Sequence, residues 1–261
     1  MTIQPFSLDY ILQSRTRTSD SEHMYFYETD YSSSDAPVNI SFIPGYTTEW
    51  IIGYNDDNSL SEFICIGCCK ALTTYELKPF DHYFCIRFNE SGCFFNYGAD
   101  PKTYPVNMAD QIFTYTPKKG SGESGLIQSF LSSSSFEERI SLFIDFLDNF
   151  KVFCPVPDNI ALINKAVFSG ADTVYELSEQ TGYSVRHINR LYKDVYGFGP
   201  KDLIKYVRFQ KVLKTIIDAP DHDNSFFIAG TGYSDQAHFQ REFKSFTGMT
   251  PKQFINNILA K

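Results

Sequence analysis

The chain has 261 residues, of which 43% are hydrophobic and 16% aromatic, and its formal net charge is −8. This composition argues against a disordered chain, and the lack of any apolar run of about 18 residues argues against a transmembrane helix. The length is sufficient for two domains, each with its own core. No basic segment leads into an apolar stretch at the N-terminus, so we expect a cytoplasmic protein whose six cysteines remain reduced thiols.

The charge is divided unevenly along the chain. Residues 1–154 contain 10 Lys and Arg against 20 Asp and Glu, whereas residues 155–261 contain 13 against 11. The acidic surplus therefore belongs to the first part. A weakly basic second part can bind phosphates if its cations share one face, although its non-specific affinity should be modest and sensitive to salt.

Residues 1–117 are predicted to form a β-rich domain. Short segments rich in aromatic and β-branched residues alternate with clusters of Asn, Asp, Gly, Pro and Ser, which is typical of strands joined by turns. The predicted strands are residues 24–28, 38–43, 50–54, 62–67, 73–77, 82–88 and 111–115. Short strands at regular spacing predict a barrel or a sandwich.

Residues 118–156 are predicted to be a helical dimerisation or linker segment. Its first part, residues 118–125, is rich in Gly and Ser, and we expect no helix or strand to persist there. Residues 135–150 predict an amphipathic helix capped by Ser135. Its apolar stripe consists of Phe136, Ile140, Phe143, Ile144, Leu147 and Phe150. The stripe either packs on the β-rich domain or forms a dimer seam, and its length does not distinguish the two.

Residues 157–261, which follow Pro155 and Pro157, are predicted to form an all-α domain that contains the same small unit twice. In the first copy, Thr173 caps a short helix, Gly182 reverses the chain with a positive φ, and Ser184 caps a second helix to about Val195. The predicted inward residues of that second helix are Val185, Ile188, Leu191 and Tyr192. Its predicted outward residues are Arg186, Asn189, Arg190 and Lys193.

The second copy begins at Gly232, 50 residues after Gly182. Ser234 is predicted to cap a helix that turns Phe239 and Phe243 inward. Its predicted outward residues are Gln236, His238, Gln240, Arg241 and Lys244. A single polar helix face is usually only solvated, but a repeated turn and polar helix indicates a reader of duplex DNA. Arg can pair with guanine and Asn with adenine in the major groove.

The segment between the two copies predicts one straight helix from Pro200 of about 17 residues, or roughly 25 Å. Such a helix can hold two recognition helices close to one turn of duplex apart, roughly 34 Å. We therefore expect one chain to enter successive major grooves on the same side of the DNA.

The segment Gly232-Tyr-Ser-Asp-Gln-Ala-His-Phe-Gln-Arg-Glu-Phe-Lys and the Thr-Pro-Lys-Gln-Phe that follows it resemble the C-terminal signature of AraC/XylS-type transcription regulators. The resemblance covers roughly residues 157–257. It implies an α+β protein in which a β-barrel or sandwich (cupin-like) domain precedes an all-α domain with two helix-turn-helix units. It also implies base contacts from Arg186, Asn189 and Arg190 in the first unit. In the second unit, the implied base contacts are Gln236, Ala237, His238 and Arg241.

The resemblance further implies a bacterial regulator with double-stranded DNA, a small-molecule effector and RNA polymerase as partners, and activation rather than repression. A homodimer is compatible with it. One departure is the segment before Gly232, where Ile228 occupies a place that usually holds a small residue and Gly230 weakens the helix. We therefore expect the supporting helix of the second unit to be shifted or frayed. The second unit would then contact mainly the DNA backbone.

An aromatic-rich β domain is suited to hold a small effector. The candidates for ligand contact are Trp50, Tyr54, Tyr83 and Arg87. An inward Arg87 can pair with a carboxylate or phosphate, although it can equally point to water while the aromatic residues form the core.

The cysteines include the spacing Cys65-Ile-Gly-Cys68, but no second such pair follows, so we interpret them as buried thiols and expect no metal or cofactor. The chain contains no phosphate-binding Gly-rich loop, nucleophile elbow or zinc-protease helix, so no enzyme is expected. The alternative is a small-molecule-binding protein whose helical domain serves protein contacts.

Overall fold

A computed structural model describes residues 17–20, 24–30, 37–59, 61–88, 94–95, 111–150, 153–154 and 157–256. The strands in them are β1 Arg17–Asp20, β2 Met24–Asp30, β3 Val38–Phe42, β4 Thr48–Tyr54, β5 Ser61–Ile66, β6 Thr73–Leu77, β7 His82–Phe88, β8 Phe94–Phe95, β9 Ile112–Tyr115 and β10 Phe153–Cys154. The helices are α1 Gly122–Ser132, α2 Phe136–Phe150, α3 Asp158–Phe168, α4 Val174–Thr181, α5 Val185–Tyr196, α6 Pro200–Asp218, α7 Asn224–Ile228, α8 Gln236–Thr247 and α9 Pro251–Phe254.

Six antiparallel strands form the main sheet, in the order β1-β2-β7-β4-β5-β9. Strands β4 and β7 are almost completely buried, because helices α1 and α2 cover one face of the sheet and the pair β3–β6 covers the other. A strand that is covered on both faces needs apolar residues at successive positions, which explains the apolar run of residues 83–86 in β7. The region is therefore built in three layers of helices, large sheet and small sheet.

The seven strands predicted from the sequence are confirmed as β2, β3, β4, β5, β6, β7 and β9. Strands β1, β8 and β10 were not predicted. Strand β1 pairs with β2 alone and β9 with β5 alone among the described strands, so the sheet does not close on itself. Of the two predicted alternatives, the closed barrel is wrong for the described part, and the packing of the main sheet on the pair β3–β6 corresponds to the sandwich.

The segment 118–125 is not free of secondary structure, because α1 begins inside it at Gly122. The Ser121 hydroxyl accepts a hydrogen bond from the amide of Ser124 at 3.3 Å and thereby caps the helix. Further along, Leu126, Ile127 and Phe130 are buried against the sheet. Local composition suggested a loop, but this cap and this packing outweigh the low helix propensity of Gly and Ser.

Helix α2 begins where the sequence predicted, and the amide of Glu138 donates to the Ser135 hydroxyl at 3.1 Å. Its apolar stripe packs on the sheet of the same chain. Phe143 is fully buried and its ring lies 5.9 to 6.1 Å from those of Phe26, Trp50 and Phe84. The stripe therefore contributes to the core of its own domain. Of its members, the side chain of Phe150 lies outside the described residues.

Helices α3 to α9 share a second apolar core, in which Phe209 of α6 contacts Phe243 and Phe246 of α8. Helix α6 has 19 residues, close to the predicted length. Three residues of the strand-rich region, Ile43, Tyr46 and Cys68, belong to this core as well. The Tyr46 ring lies 5.3 Å from that of Phe168 at the end of α3. The two predicted domains are therefore joined by apolar contact.

In the part of the chain that the structure describes, no helix combines the length and the apolar character needed to cross a bilayer.

Candidate nucleic-acid interface

The first helix-turn-helix unit consists of α4, a turn at Gly182 and α5. The Thr173 hydroxyl accepts from the amide of Glu176 at 3.1 Å and caps α4. Gly182 has a φ of 74°, a left-handed conformation that favours glycine. The Ser184 hydroxyl accepts from the amide of His187 at 3.2 Å and caps α5. These three predicted features of the unit are confirmed.

Helix α5 separates its residues into an apolar and a polar face. Ile188 and Tyr192 are fully buried and Leu191 packs against the core as a half-buried residue, whereas Val185 is 41% exposed. The prediction that Val185 points inward was wrong, because the core is filled by side chains one turn further along. The predicted DNA-facing residues Arg186, Asn189, Arg190 and Lys193 are all exposed.

A buried polar contact fixes α5 to α3. The Tyr192 hydroxyl donates to the Asn164 side-chain oxygen, and the Asn164 amide donates to the Tyr196 hydroxyl at 3.1 Å. Burial raises the pKa of Tyr192, so its hydroxyl stays protonated and able to donate. Sequence reasoning missed Asn164, although a polar residue among the apolar residues Ile160, Ile163 and Val167 on α3 was a readable signal.

The second unit has a shorter supporting helix than the first. Helix α7 has five residues against eight in α4, and the chain after it passes through Gly230 and Gly232, with φ of 69° and 82°. The expected weakening of this helix is confirmed. Asp235 rather than Ser234 caps α8, since its carboxylate accepts from the amide of His238 at 2.7 Å.

The cap of α8 differs from the prediction for an electrostatic reason. A carboxylate interacts more strongly than a hydroxyl with the partial positive charge at a helix N-terminus. The bond from the His238 amide, together with one from the Ser234 hydroxyl, lowers the pKa of Asp235. The carboxylate therefore remains charged at neutral pH, and the cap is retained above the acid range.

Most predicted DNA-facing residues of α8 are also on the surface. Gln236, Ala237, Gln240, Arg241 and Lys244 are exposed, while His238 is half-buried beside the Tyr233 ring, 5.3 Å away. Gln236 donates to the Ser225 hydroxyl of α7 at 2.6 Å. The predicted inward residues Phe239 and Phe243 are fully buried. The second helix thus presents two cations, Arg241 and Lys244, and amide groups suited to base edges.

Some candidate groups already have partners on their own helix. The guanidinium of Arg190 lies 3.0 Å from the ring of His187, and the Asn189 amide donates to the backbone oxygen of Val185 at 2.8 Å. Both groups are exposed, so exchange of these contacts for DNA contacts requires only a change of side-chain rotamer. The length of α6, 19 residues or about 28 Å, suits the spacing of successive major grooves.

The four candidates for ligand contact lie on two faces of the main sheet. Trp50 and Tyr54 belong to the core between the sheet and the helices, whereas Tyr83 belongs to the core beside the small sheet. Arg87 follows Tyr83 by four positions along β7 and therefore shares its face. Its guanidinium donates to the Glu49 carboxylate at 3.3 Å, and both side chains are buried. The sheet thus separates the four residues into two pairs.

Tyr54 adjoins a cavity of about 220 Å³ between the main sheet and helices α1 and α2. One ion pair and one histidine–carboxylate contact border the cavity. Arg139 donates to both carboxylate oxygens of Glu28, at 2.6 and 2.7 Å, and the His82 ring lies 2.7 Å from the Asp56 carboxylate. The Tyr54 ring stands between His82 and Phe130. Sequence reasoning missed Arg139 because its partner is 111 residues away.

In the described part, Cys65, Cys68, Cys69 and Cys85 are buried and take part in no disulfide. Burial raises the pKa of Cys65 to about 12, so its thiol is neutral and a poor nucleophile at physiological pH. Within the described residues, no three His, Cys, Asp or Glu side chains are grouped as a metal site requires.

The geometry defines a tandem helix-turn-helix domain, the class of fold that places a helix in the major groove. Residues 177–257 match a protein family described as a helix-turn-helix domain. The probable transcription factor PqrA from Proteus vulgaris is 32% identical over 83 residues, which cover 31% of this chain and 66% of PqrA. An uncharacterized HTH-type transcriptional regulator from Staphylococcus aureus strain MSSA476 is 32% identical over 79 residues, which cover 30% of this chain. The matched segment spans only 10% of the length of that regulator.

The fold of nearly the whole chain is similar to that of ToxT from Vibrio cholerae O395. Its crystal structure aligns with a TM-score of 0.50 at 11% identity, over 94% of this chain and 99% of ToxT. At this identity the likeness concerns the fold alone. The family match over residues 177–257 shows a helix-turn-helix domain of the AraC type, and this domain follows a strand-rich N-terminal region. The matched proteins are named as transcription regulators and not as enzymes.

Proposed function

We propose that this protein is a bacterial transcription regulator that binds specific sequences of double-stranded DNA through α5 and α8. The observation that supports the proposal is the repeated arrangement of a capped helix with a buried apolar face and an exposed polar face, on either side of the rigid helix α6. The proposed base contacts are Arg186, Asn189, Arg190, Gln236, Ala237, His238 and Arg241. Lys193, Gln240 and Lys244 complete the DNA-facing set, and the two lysines are suited to phosphate contacts.

Arg190→Ala tests this proposal, because Arg190 is the exposed candidate in the middle of α5. We expect a loss of about 1–3 kcal/mol in specific binding and a relaxed preference at one base pair. The measurement is a fluorescence-anisotropy titration at fixed salt, with a duplex selected by the wild-type protein and with a scrambled duplex. Lys119→Ala, which removes one exposed charge from the strand-rich side, is the matched control and should bind like the wild type.

Equal losses on the selected and scrambled duplexes would reassign Arg190 to a phosphate contact. If the wild-type protein shows no salt-dependent affinity for any duplex, the DNA proposal fails. The alternative, a helical domain that serves protein contacts, would then be favoured.

We further propose that a small polar effector controls the protein and that the cavity beside Tyr54 receives it. The cavity supports this proposal because it contains an aromatic ring together with charged groups of both signs. Trp50 lies in the core on the same side of the sheet and would support the site, whereas the other two candidates, Tyr83 and Arg87, lie on the opposite face. An effector can change how the two recognition helices are arranged only if it binds one conformation of the protein more tightly than another. Activation through RNA polymerase, a cytoplasmic location and a homodimer belong to the same proposal.

Native mass spectrometry of the purified protein tests the effector and the dimer together. We expect an added small-molecule mass that is lost on denaturation, and a species at twice the chain mass of 29.9 kDa. Tyr54→Ala should lose the added mass, whereas Tyr83→Phe, on the opposite face of the sheet, should retain it. A clean monomer without added mass, which also shows no shift in melting temperature with small-molecule libraries, would contradict both proposals.

A further inference from the structure

The two recognition helices are held in place by different means. Helix α5 is supported by the eight residues of α4 and by the buried contact between Asn164 and Tyr192. The supporting helix of α8 has only five residues and is followed by two glycines in left-handed conformations, while Phe243 and Phe246 of α8 pack on Phe209 of α6. The orientation of α8 therefore depends on its connection to α6.

Arg208 of α6 makes that connection through four contacts. Its Nη2 atom lies 3.0 and 3.1 Å from the two carboxylate oxygens of Glu242 on α8. Its Nη1 atom donates to the backbone oxygen of Gly232 at 3.4 Å, and its guanidinium lies 4.4 Å from the centre of the Tyr233 ring. One side chain thus binds the linking helix to both the turn and the recognition helix.

The contact is largely shielded from water. The side chains of Arg208 and Glu242 are 15% and 10% exposed, and the Tyr233 hydroxyl donates to Glu242 at 2.6 Å. A carboxylate and a guanidinium in such surroundings each need their partner, so α8 cannot rotate without breaking several charge-assisted bonds. Because Glu242 directly follows Arg241 on α8, its position also sets the direction in which the Arg241 side chain leaves the helix.

We propose that Arg208 is a positioning residue that sets the angle of the second recognition helix and thereby the recognition of the second DNA half-site. This inference rests on the proposed function, since it concerns how the same DNA interface is aligned. Arg208 itself contacts no base in this scheme. It acts through Glu242, and the first unit is independent of it.

The test compares four variants on two duplexes. The first duplex is one selected by the wild-type protein, and the second has the same sequence with the α8 half-site scrambled. Arg208→Lys keeps the charge but loses the second guanidinium nitrogen, which donates to the Gly232 oxygen, and Glu242→Gln keeps the shape but removes the partner charge. The variant with both changes completes a double-mutant cycle. Lys214→Ala is the control, because Lys214 is a cation on α6 that pairs with Asp218 of the same helix.

We expect Arg208→Lys and Glu242→Gln each to weaken binding to the intact duplex by on the order of tenfold, the size of one charge-assisted hydrogen bond. Binding to the scrambled duplex should be unchanged, the double variant should lose no more than either single variant, and Lys214→Ala should match the wild type. Melting temperatures of the free proteins separate positioning from unfolding. Wild-type affinity for the intact duplex with Arg208→Lys, or equal losses on both duplexes, would overturn the inference. A wild-type protein that binds neither duplex would instead refute the proposed function.

Discussion

Glu49→Ala is expected to lower the free energy of unfolding of the strand-rich region by about 3–5 kcal/mol, the usual cost of removing one member of a buried ion pair. Glu49 lies on β4 and Arg87 on β7, and their side chains are 3% and 1% exposed. Burial alone would lower the pKa of Arg87, but the charge of Glu49, its hydrogen bond to Arg87 and the nearby Tyr27 and Tyr25 together raise that pKa above its usual value. Without Glu49 a charged guanidinium would remain inside the protein.

Chemical denaturation followed by tryptophan fluorescence measures this effect, since Trp50 is the only tryptophan and is buried in the same sheet. Glu49→Gln should be less harmful, because it retains an acceptor for Arg87 and for the Tyr27 hydroxyl, which donates to Glu49. A variant in which both Glu49 and Arg87 are replaced by leucine should recover part of the stability. An unchanged midpoint for Glu49→Ala would mean that water reaches Arg87.

Phe209→Ala is expected to destabilise the helical region by about 3–5 kcal/mol, as for other fully buried phenylalanines. Phe209 has no exposed surface, and its ring lies 5.5 Å from Phe243 and 4.9 Å from Phe246. The residue joins the linking helix α6 to the recognition helix α8. Its removal would leave a cavity at the base of the second unit, so specific DNA binding should fall together with stability.

Ellipticity at 222 nm during denaturation measures this second effect, because helices dominate residues 157–256. Phe209→Leu is the control, and its cost should stay below about 1.5 kcal/mol since much of the volume is kept. Ile43, Tyr46 and Cys68 of the strand-rich region contact the helical core. Because of these contacts, the unfolding midpoint measured by Trp50 fluorescence should also fall in Phe209→Ala. A fluorescence transition that does not move at all would show that the two regions unfold independently. An unchanged ellipticity midpoint for Phe209→Ala would contradict the prediction.

Helices α5 and α8 were predictable because their signals are local. A capping hydroxyl, a glycine with positive φ and an apolar stripe all lie within about 15 residues of one another. The errors were local too. Ser234 and Asp235 are adjacent and both residue types can cap a helix. In the structure the Asp235 carboxylate accepts the hydrogen bond from the His238 amide. The start of α1 at Gly122 is an exception, because the sheet residues that bury Leu126, Ile127 and Phe130 are distant in sequence.

The site in the strand-rich region was much less predictable. The sequence marked Trp50, Tyr54, Tyr83 and Arg87 as a group by their chemistry, but alternation along β4 and β7 places them on opposite faces of one sheet. The cavity beside Tyr54 is lined in part by Arg139. Arg139 lies on helix α2, so no strand pattern includes it. Arg208 also gave no signal, because its partner Glu242 lies 34 positions further along.

By itself, the sequence determined where the strands and recognition helices lie and which of their residues face outward, since caps, turns and hydrophobic periods act over a few neighbouring residues. The tertiary structure alone decided the strand order, the open sheet, the burial of the α2 stripe and the partners of Arg87, Arg139 and Arg208. The carboxylate partners of these three arginines lie between 34 and 111 positions away in the sequence. The energies of these features come from burial and charge pairing between distant segments, which no local pattern records.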